Sequence, residues 1–252
     1  MSETRPLKLA VIGDPVAHSA SPDLHRALLA AAGLEGTYEA IRVFAGSAAA
    51  RIDELREAGY AGLNVTTPLK EEAYARADER DAAAEAAGSV NTLVLRDDRV
   101  VGHNTDGLGA IGALRDAGLR DLAGKRILVL GAGPTARSCV ASLVGAAAAT
   151  FVWNRTIETA HDLAARFDAC VWPRDAHPPD AIVVALPPDA EIADRGVLAA
   201  LLRSPLVIDA NYGSRSTLGT ALGRPVVDGL EMLRASARAS FALFTATPLE
   251  YQ

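Results

Sequence analysis

Arg126-Ile127-Leu128-Val129-Leu130-Gly131-Ala132-Gly133-Pro134-Thr135-Ala136 is the stretch that decides the fold. A continuous apolar run after Arg126 reads as a strand buried on both faces, the signature of a parallel sheet. It passes into Gly-x-Gly-x-x-Ala and then into a helix. Gly131 permits a tight turn, Gly133 lets the backbone approach a pyrophosphate, and Ala136 lets helix and strand pack closely. The helix start supplies amide donors and a positive dipole end. Pro134 lacks an amide hydrogen and donates nothing. Gly131, Ala132, Gly133, Pro134, Thr135 and Ala136 are therefore candidate dinucleotide contacts, the plain alternative being a structural turn of small residues. About twenty residues on, where an acid would bind ribose hydroxyls, the chain instead has Asn154-Arg155-Thr156. An arginine there suits the 2′-phosphate of NADP and makes NAD the less favoured cofactor, the alternative being a solvated side chain at a strand end.

Outward from this stretch, short apolar runs alternate with amphipathic ones, which implies α/β architecture with helices covering parallel sheets. Strands are expected at Leu7–Gly13, Thr37–Val43, Ala61–Thr66, Thr150–Trp153, Ala181–Ala185 and Leu206–Ala210. Val90–Leu95 and Val100–His103 read as an antiparallel pair around Arg96-Asp97-Asp98-Arg99. Helices are expected after Ser21-Pro22 to about Ala32, with Ser21 as cap, and at Ala48–Ala58, Lys70–Ala77, Asp81–Ala87, Gly107–Ala117, Thr135–Val144, Ile157–Phe167 and Met232–Phe244. The break near Asp106–Lys125 separates two domains: residues 1–106, completed by 229–252, and a Rossmann-like domain at 107–228.

The 252 residues are half hydrophobic, enough for a substantial core. Twenty-five basic against 31 acidic residues disfavour a general nucleic-acid binder. Two cysteines, Cys139 and Cys170, make no disulfide framework and have no metal-ligand spacing, so no metal is expected and a reducing cytoplasm is the natural compartment. No apolar signal core or membrane span is visible.

Four polar clusters fall at expected strand ends, where open α/β sheets place ligands. They are Gly13-Asp14-Pro15-Val16-Ala17-His18-Ser19-Ala20-Ser21-Pro22, Asn64-Val65-Thr66-Thr67-Pro68-Leu69-Lys70, Ser89-Val90-Asn91-Thr92 and Gly102-His103-Asn104-Thr105-Asp106-Gly107. Each alone is compatible with capping and turn chemistry. Together, rich in hydroxyls and amides, they suit a small polyhydroxylated molecule. Neither His18 nor His103 has metal-ligand spacing, and both are read as structural or supporting residues.

In this order, and followed by Gly-Ala-Gly and Asn-Arg-Thr, these segments resemble the shikimate dehydrogenase family from about Leu9 to Phe244. The resemblance implies two α/β domains with the active site in the cleft between them, and reduction of 3-dehydroshikimate to shikimate with NADPH in aromatic amino-acid (chorismate) biosynthesis. It implies a catalytic pair, Lys70 and Asp106. Ser19 and Ser21 would bind the substrate carboxylate, with Tyr212 near it, and Thr66, Asn91 and Asp106 the ring hydroxyls. Gly229 joins the cofactor residues, and the functional unit is a monomer or homodimer.

The chain departs from the family pattern at several places. Ser236 of Gly229-Leu-Glu-Met232-Leu233-Arg-Ala-Ser236-Ala237 stands where the family has a substrate-binding glutamine, and offers one donor rather than two. Val184-Ala185-Leu186 replaces Asn-Ala-Thr, and Thr159 holds a place that is often basic. These departures leave two alternatives: a relative acting on quinate or aminoshikimate, or a non-catalytic ligand or nucleotide sensor.

Overall fold

Alternate residues of Leu9-Ala10-Val11-Ile12 enter different apolar clusters. Leu9 and Val11 pack with Val16, Tyr38, Val94 and Phe244. Ala10 and Ile12 pack with Ile52, Leu55, Leu63 and Leu93. That two-residue alternation is what a strand covered on both faces requires. The computed structural model describes residues 6–173 and 177–246. Its first compact unit runs to Thr105 and resumes at Ala237. The elements are β1 (Leu7–Gly13), α1 (Ser21–Ala31), β2 (Gly36–Arg42), α2 (Ala48–Glu57), β3 (Gly62–Val65), α3 (Lys70–Arg76), β4 (Glu79–Arg80), α4 (Ala82–Ala87), β5 (Thr92–Leu95) and β6 (Val100–His103). The sheet order is β2-β1-β3-β5-β6-β4, with β5 antiparallel to both neighbours and the other pairings parallel.

The second unit, Asp106–Ser236, holds α5 (Asp106–Asp116), β7 (Arg126–Leu130), α6 (Pro134–Gly145), β8 (Ala149–Trp153), α7 (Ile157–Phe167), β9 (Cys170–Val171), β10 (Ala181–Val184), α8 (Arg195–Arg203), β11 (Leu206–Asp209) and α9 (Leu218–Leu222). Its sheet is parallel throughout, in the order β11-β10-β7-β8-β9. Ile127 and Val129 face a cluster with Ala136, Cys139, Val140 and Leu143. Leu128 and Leu130 face Trp153, Ile182, Val197 and Leu201 on the other side. The continuous apolar run thus has the two-sided burial expected of it. The last helix, α10 (Gly229–Thr245), begins in the second unit and ends in the first, the change falling at Ala237.

Several elements differ from the sequence reading. Ser21 does not cap α1: it is the first helical residue, Ala20 holds the cap position, and no side chain caps the helix. Instead the Ser19 hydroxyl accepts from the Ser21 amide at 3.2 Å. The helix expected at Thr135 starts one residue earlier, at Pro134, with Gly133 as its cap. Helices α8 and α9 and the two-residue strands β4 and β9 were not anticipated. No helix among the described residues is long and apolar enough to cross a membrane.

Candidate active site

In the first unit the polar residues gather at one end of the sheet. Thr66 follows β3, and its amide donates to Ile12 at the end of β1 (2.9 Å). Lys70 opens α3, half-buried, with its carbonyl accepting from the Val90 amide at 2.9 Å. Glu72, in the first turn, fastens that helix by accepting from the Gly46 and Ala48 amides (2.8 and 3.2 Å). Asn91 precedes β5. Because β5 is antiparallel, its start lies beside the ends of β3 and β6.

The Asn91 side chain is oriented by three donors. Its Oδ1 accepts from Thr92 Oγ1 (2.9 Å), the Thr105 amide (2.9 Å) and Thr105 Oγ1 (3.2 Å). The oxygen is thereby assigned, which makes Nδ2 the donor end of the side chain. Behind it the network continues: Asn64 Nδ2 donates to Thr92 Oγ1 (3.2 Å) and Tyr38 donates its hydroxyl to Asn64 Oδ1 (2.7 Å). His25 stacks on Tyr38 with centroids 4.3 Å apart and planes 8° off parallel, with Phe241 and Phe244 beside it. Burial pushes the His25 imidazole down to about 4, and its Nδ1 has no partner. Ser21 is buried and Ser19 half-buried at the start of α1. His103 pairs through Nδ1 with Asp81 at 2.9 Å, a structural contact, since Asp81 also caps α4.

In the second unit Gly131 follows β7 at φ +118°, where a Cβ would come within 2.7 Å of the Ala185 carbonyl. Two residues on, the requirement differs. Gly133 has φ −73°, and a Cβ there would meet no atom within 4 Å. Neither backbone conformation nor packing demands glycine at 133, and a side chain would fill only the open space over the turn. That space, at the amide-bearing start of the twelve-residue α6, fits a pyrophosphate. Ala136 is fully buried against the strand, and Ala132 is partly buried against the same cluster.

Asn154 bonds the Thr156 carbonyl (3.1 Å), and Thr156 holds the cap position of α7. Arg155 is exposed, with no hydrogen bond or ion pair among the described residues, so its guanidinium is available to a phosphate. Val184, one of the departures from the family pattern, is buried beside Leu128 and Leu130.

Asp106 is the first residue of α5, largely buried, and its Oδ2 accepts from Thr135 Oγ1 at 3.1 Å. Tyr212 is half-buried on a loop staked by two carboxylates. Asp209 Oδ1 accepts from the Asn211 amide and Nδ2 (3.0 and 2.9 Å), its Oδ2 from Ser216 (3.1 Å), and Asp228 Oδ2 from the Gly213 amide (3.3 Å). Gly229 opens α10, and a Cβ there would lie 2.5 Å from the Ala210 carbonyl, so close packing already accounts for this glycine. Ser236 is buried, its Cβ against Gly109 of α5.

The structure thus groups Ser19, Ser21, Thr66, Lys70 and Asn91 in the first unit. It groups Asp106, the glycine turn, Asn154–Thr156, Tyr212, Gly229 and Ser236 in the second. Sequence reasoning missed the supporting Tyr38 and the bond from Thr135 to Asp106. Thr92 and Thr105 stand in the polar clusters that the sequence singled out, but their role in orienting Asn91 was not read there.

Comparison with known proteins follows the same division. Residues 11–93 match the family model described as Shikimate dehydrogenase substrate binding domain. Residues 113–175 match the one described as Shikimate / quinate 5-dehydrogenase. The Shikimate dehydrogenase (NADP(+)) of Aromatoleum aromaticum is 35% identical over 257 residues, 94% of this chain and 91% of that protein. The protein of the same name from Exiguobacterium sp. is 44% identical over 161 residues, a match spanning 64% of this chain and only 60% of that protein's length. The shikimate 5-dehydrogenase of Thermus thermophilus, solved in complex with NADP(H) and shikimate, superposes with a TM-score of 0.82 at 33% identity, over 95% of this chain and 94% of that one.

Proposed function

Because the chain belongs to the shikimate dehydrogenase family, we propose that it interconverts 3-dehydroshikimate and shikimate with NADP. The observation that carries this reading is the Asp106 carboxylate, bonded at 3.1 Å to the hydroxyl of Thr135 at the start of the glycine-turn helix. A carboxylate that can accept from a ring hydroxyl therefore stands beside the turn suited to a dinucleotide.

The backbone of the turn Gly131–Ala136 would hold the pyrophosphate, and Asn154, Arg155 and Thr156 the adenosine 2′-phosphate. When bound, NADPH supplies the hydride. The chain's own residues bind, orient and move the proton. The Lys70 ammonium gives a proton to the substrate oxygen as its carbon is reduced, turning C=O into CH–OH, and takes it back in the reverse direction. Asp106 accepts from the neighbouring hydroxyl and keeps the ring in register, with the Thr66 hydroxyl and Asn91 Nδ2 as further contacts. Ser19 and Ser21 donate to the ring carboxylate, with Tyr212 beside it. Two cysteines without a disulfide framework suit a reducing compartment, the cytoplasm.

The test is absorbance at the nicotinamide band with shikimate plus NADP, then NAD, then with quinate and aminoshikimate. Turnover fastest with shikimate and NADP is expected. Binding of both ligands without turnover overturns the enzyme reading in favour of a sensor, and faster turnover of quinate or aminoshikimate overturns the substrate assignment.

A further inference from the structure

We propose that Thr135 is a positioning residue for the substrate-binding carboxylate Asp106, rather than one whose hydroxyl serves the dinucleotide. The proposal rests on the substrate reading above and adds how the carboxylate is aimed. Thr135 and Ser138 are three residues apart on α6 and therefore share a face. Both meet the first turn of α5. The Thr135 hydroxyl donates to Asp106 Oδ2 at 3.1 Å, and Ser138 Oγ accepts from the Gly107 amide at 2.9 Å. The second bond satisfies a first-turn amide that α5 itself leaves without a partner. Gly107 sits against Ser138 and Ser142 so closely that a Cβ would overlap Ser142 Oγ and stand 2.5 Å from the Ser138 carbonyl. One end of α5 is thus fixed by its backbone, and the carboxylate it carries is fixed by its side chain.

The chemistry favours threonine here. A hydroxyl has one proton to donate, and Thr135 directs it to an acceptor with a full charge, the stronger kind of hydrogen bond. A β-branched side chain has few χ1 choices, so the donor is rigid as well as near. Holding Oδ2 restricts rotation of the carboxylate about its χ2 bond, and with it the direction of Oδ1. Substrate contact through Asp106 is thereby tuned from the helix that begins at the dinucleotide turn. Binding of the substrate, more than of the cofactor, depends on the hydroxyl.

The experiment is calorimetric titration of the intact protein with shikimate in the absence of cofactor, and separately with NADP, for wild type, Thr135→Val and Thr135→Ser. Valine keeps the shape and removes the donor. It is expected to weaken shikimate binding by about five- to thirtyfold while NADP binding stays within about twofold. Serine, which restores the hydroxyl, should return shikimate to within about threefold of wild type. In an Asp106→Ala background the valine substitution should have no further effect, an outcome that general loosening of the helices would not produce. If the valine variant fails to fold, Thr135→Ala makes the same deletion with less bulk. An unchanged shikimate affinity in a folded deletion variant, or a loss falling on NADP instead, overturns the positioning role alone. A wild-type protein that binds NADP but not shikimate overturns the substrate reading along with it.

Discussion

Gly131→Ala and Gly133→Ala should fail in opposite ways. At Gly131 the backbone sits at φ +118°, and a Cβ would press to 2.7 Å from the Ala185 carbonyl. Left-handed conformation costs a non-glycine residue about 1–2 kcal/mol, and overpacking against backbone about 1–3 kcal/mol more. The sum, about 2–5 kcal/mol, corresponds to a fall in melting temperature of roughly 5–15 °C for a chain of this size. At Gly133 the backbone angle is ordinary and nothing lies within 4 Å. Alanine there should leave the melting temperature unchanged or raise it slightly, because it stiffens the unfolded chain by about 0.4–1 kcal/mol. Its methyl would instead occupy the space proposed for the pyrophosphate. A clash of about 1–3 kcal/mol weakens NADP by roughly five- to 150-fold. Thermal unfolding without cofactor and calorimetric NADP titration of both variants separate the two effects. A Gly133→Ala protein that melts several degrees low, or binds NADP like wild type, would refute the assignment of that open space to a ligand.

Lys70→Ala should lower turnover by about two to four orders of magnitude with the fold intact, as steady-state kinetics and circular dichroism would show, and near-normal turnover would remove Lys70 from proton transfer. Arg155→Ala should weaken NADP by about 1.5–3 kcal/mol and NAD far less; equal losses in paired titrations would mean that the exposed guanidinium does not face the 2′-phosphate. Acid should destabilise the first unit through His25. Its folded value of about 4 lies below the ordinary 6.5, so the unfolded chain takes up the proton first, and the stabilisation, complete above pH 6.5, drains away as pH falls to 4. The full loss is about 3 kcal/mol, and His25→Phe, which keeps the stack on Tyr38, should flatten it. Hydrogen exchange of the β1 and β2 amides, corrected for intrinsic rates, measures this, and equal pH slopes in both proteins would refute it.

The residues legible from sequence were those whose signals are local. The run Ile127–Leu130 and the turn after it carry their own period and spacing, and the structure places them on a central parallel strand. Elements made by pairing were not legible: Glu79–Arg80 and Cys170–Val171 are strands only because β6 and β8 lie beside them. Helix α8 had a readable start, since the Asp194 carboxylate accepts from the Gly196 and Val197 amides as a cap should. Ser21 looked like a cap by residue type, yet the hydroxyl that bonds a first-turn amide belongs to Ser19. The bond from Thr135 to Asp106 spans 29 positions, and only the packing of α5 on α6 brings the two together. The passage of α10 between units leaves no mark in a continuous helical period.

Helix α5 is held where side chains are missing. A Cβ at Gly107 would overlap α6, one at Gly109 would stand 2.6 Å from the Met232 carbonyl, and one at Gly112 would overlap Ala235. Three glycines cost an eleven-residue helix about 3 kcal/mol of intrinsic stability against alanine, and helices that short scarcely persist alone. Asp106 therefore has a defined position only while α6 and α10 clasp the helix it begins. In a growth-based survey of variants, substitutions at Gly107, Gly109 and Gly112 would score like substitutions of Asp106 itself. Only a parallel measure of protein abundance would sort the positions that build the helix from the carboxylate proposed to use it.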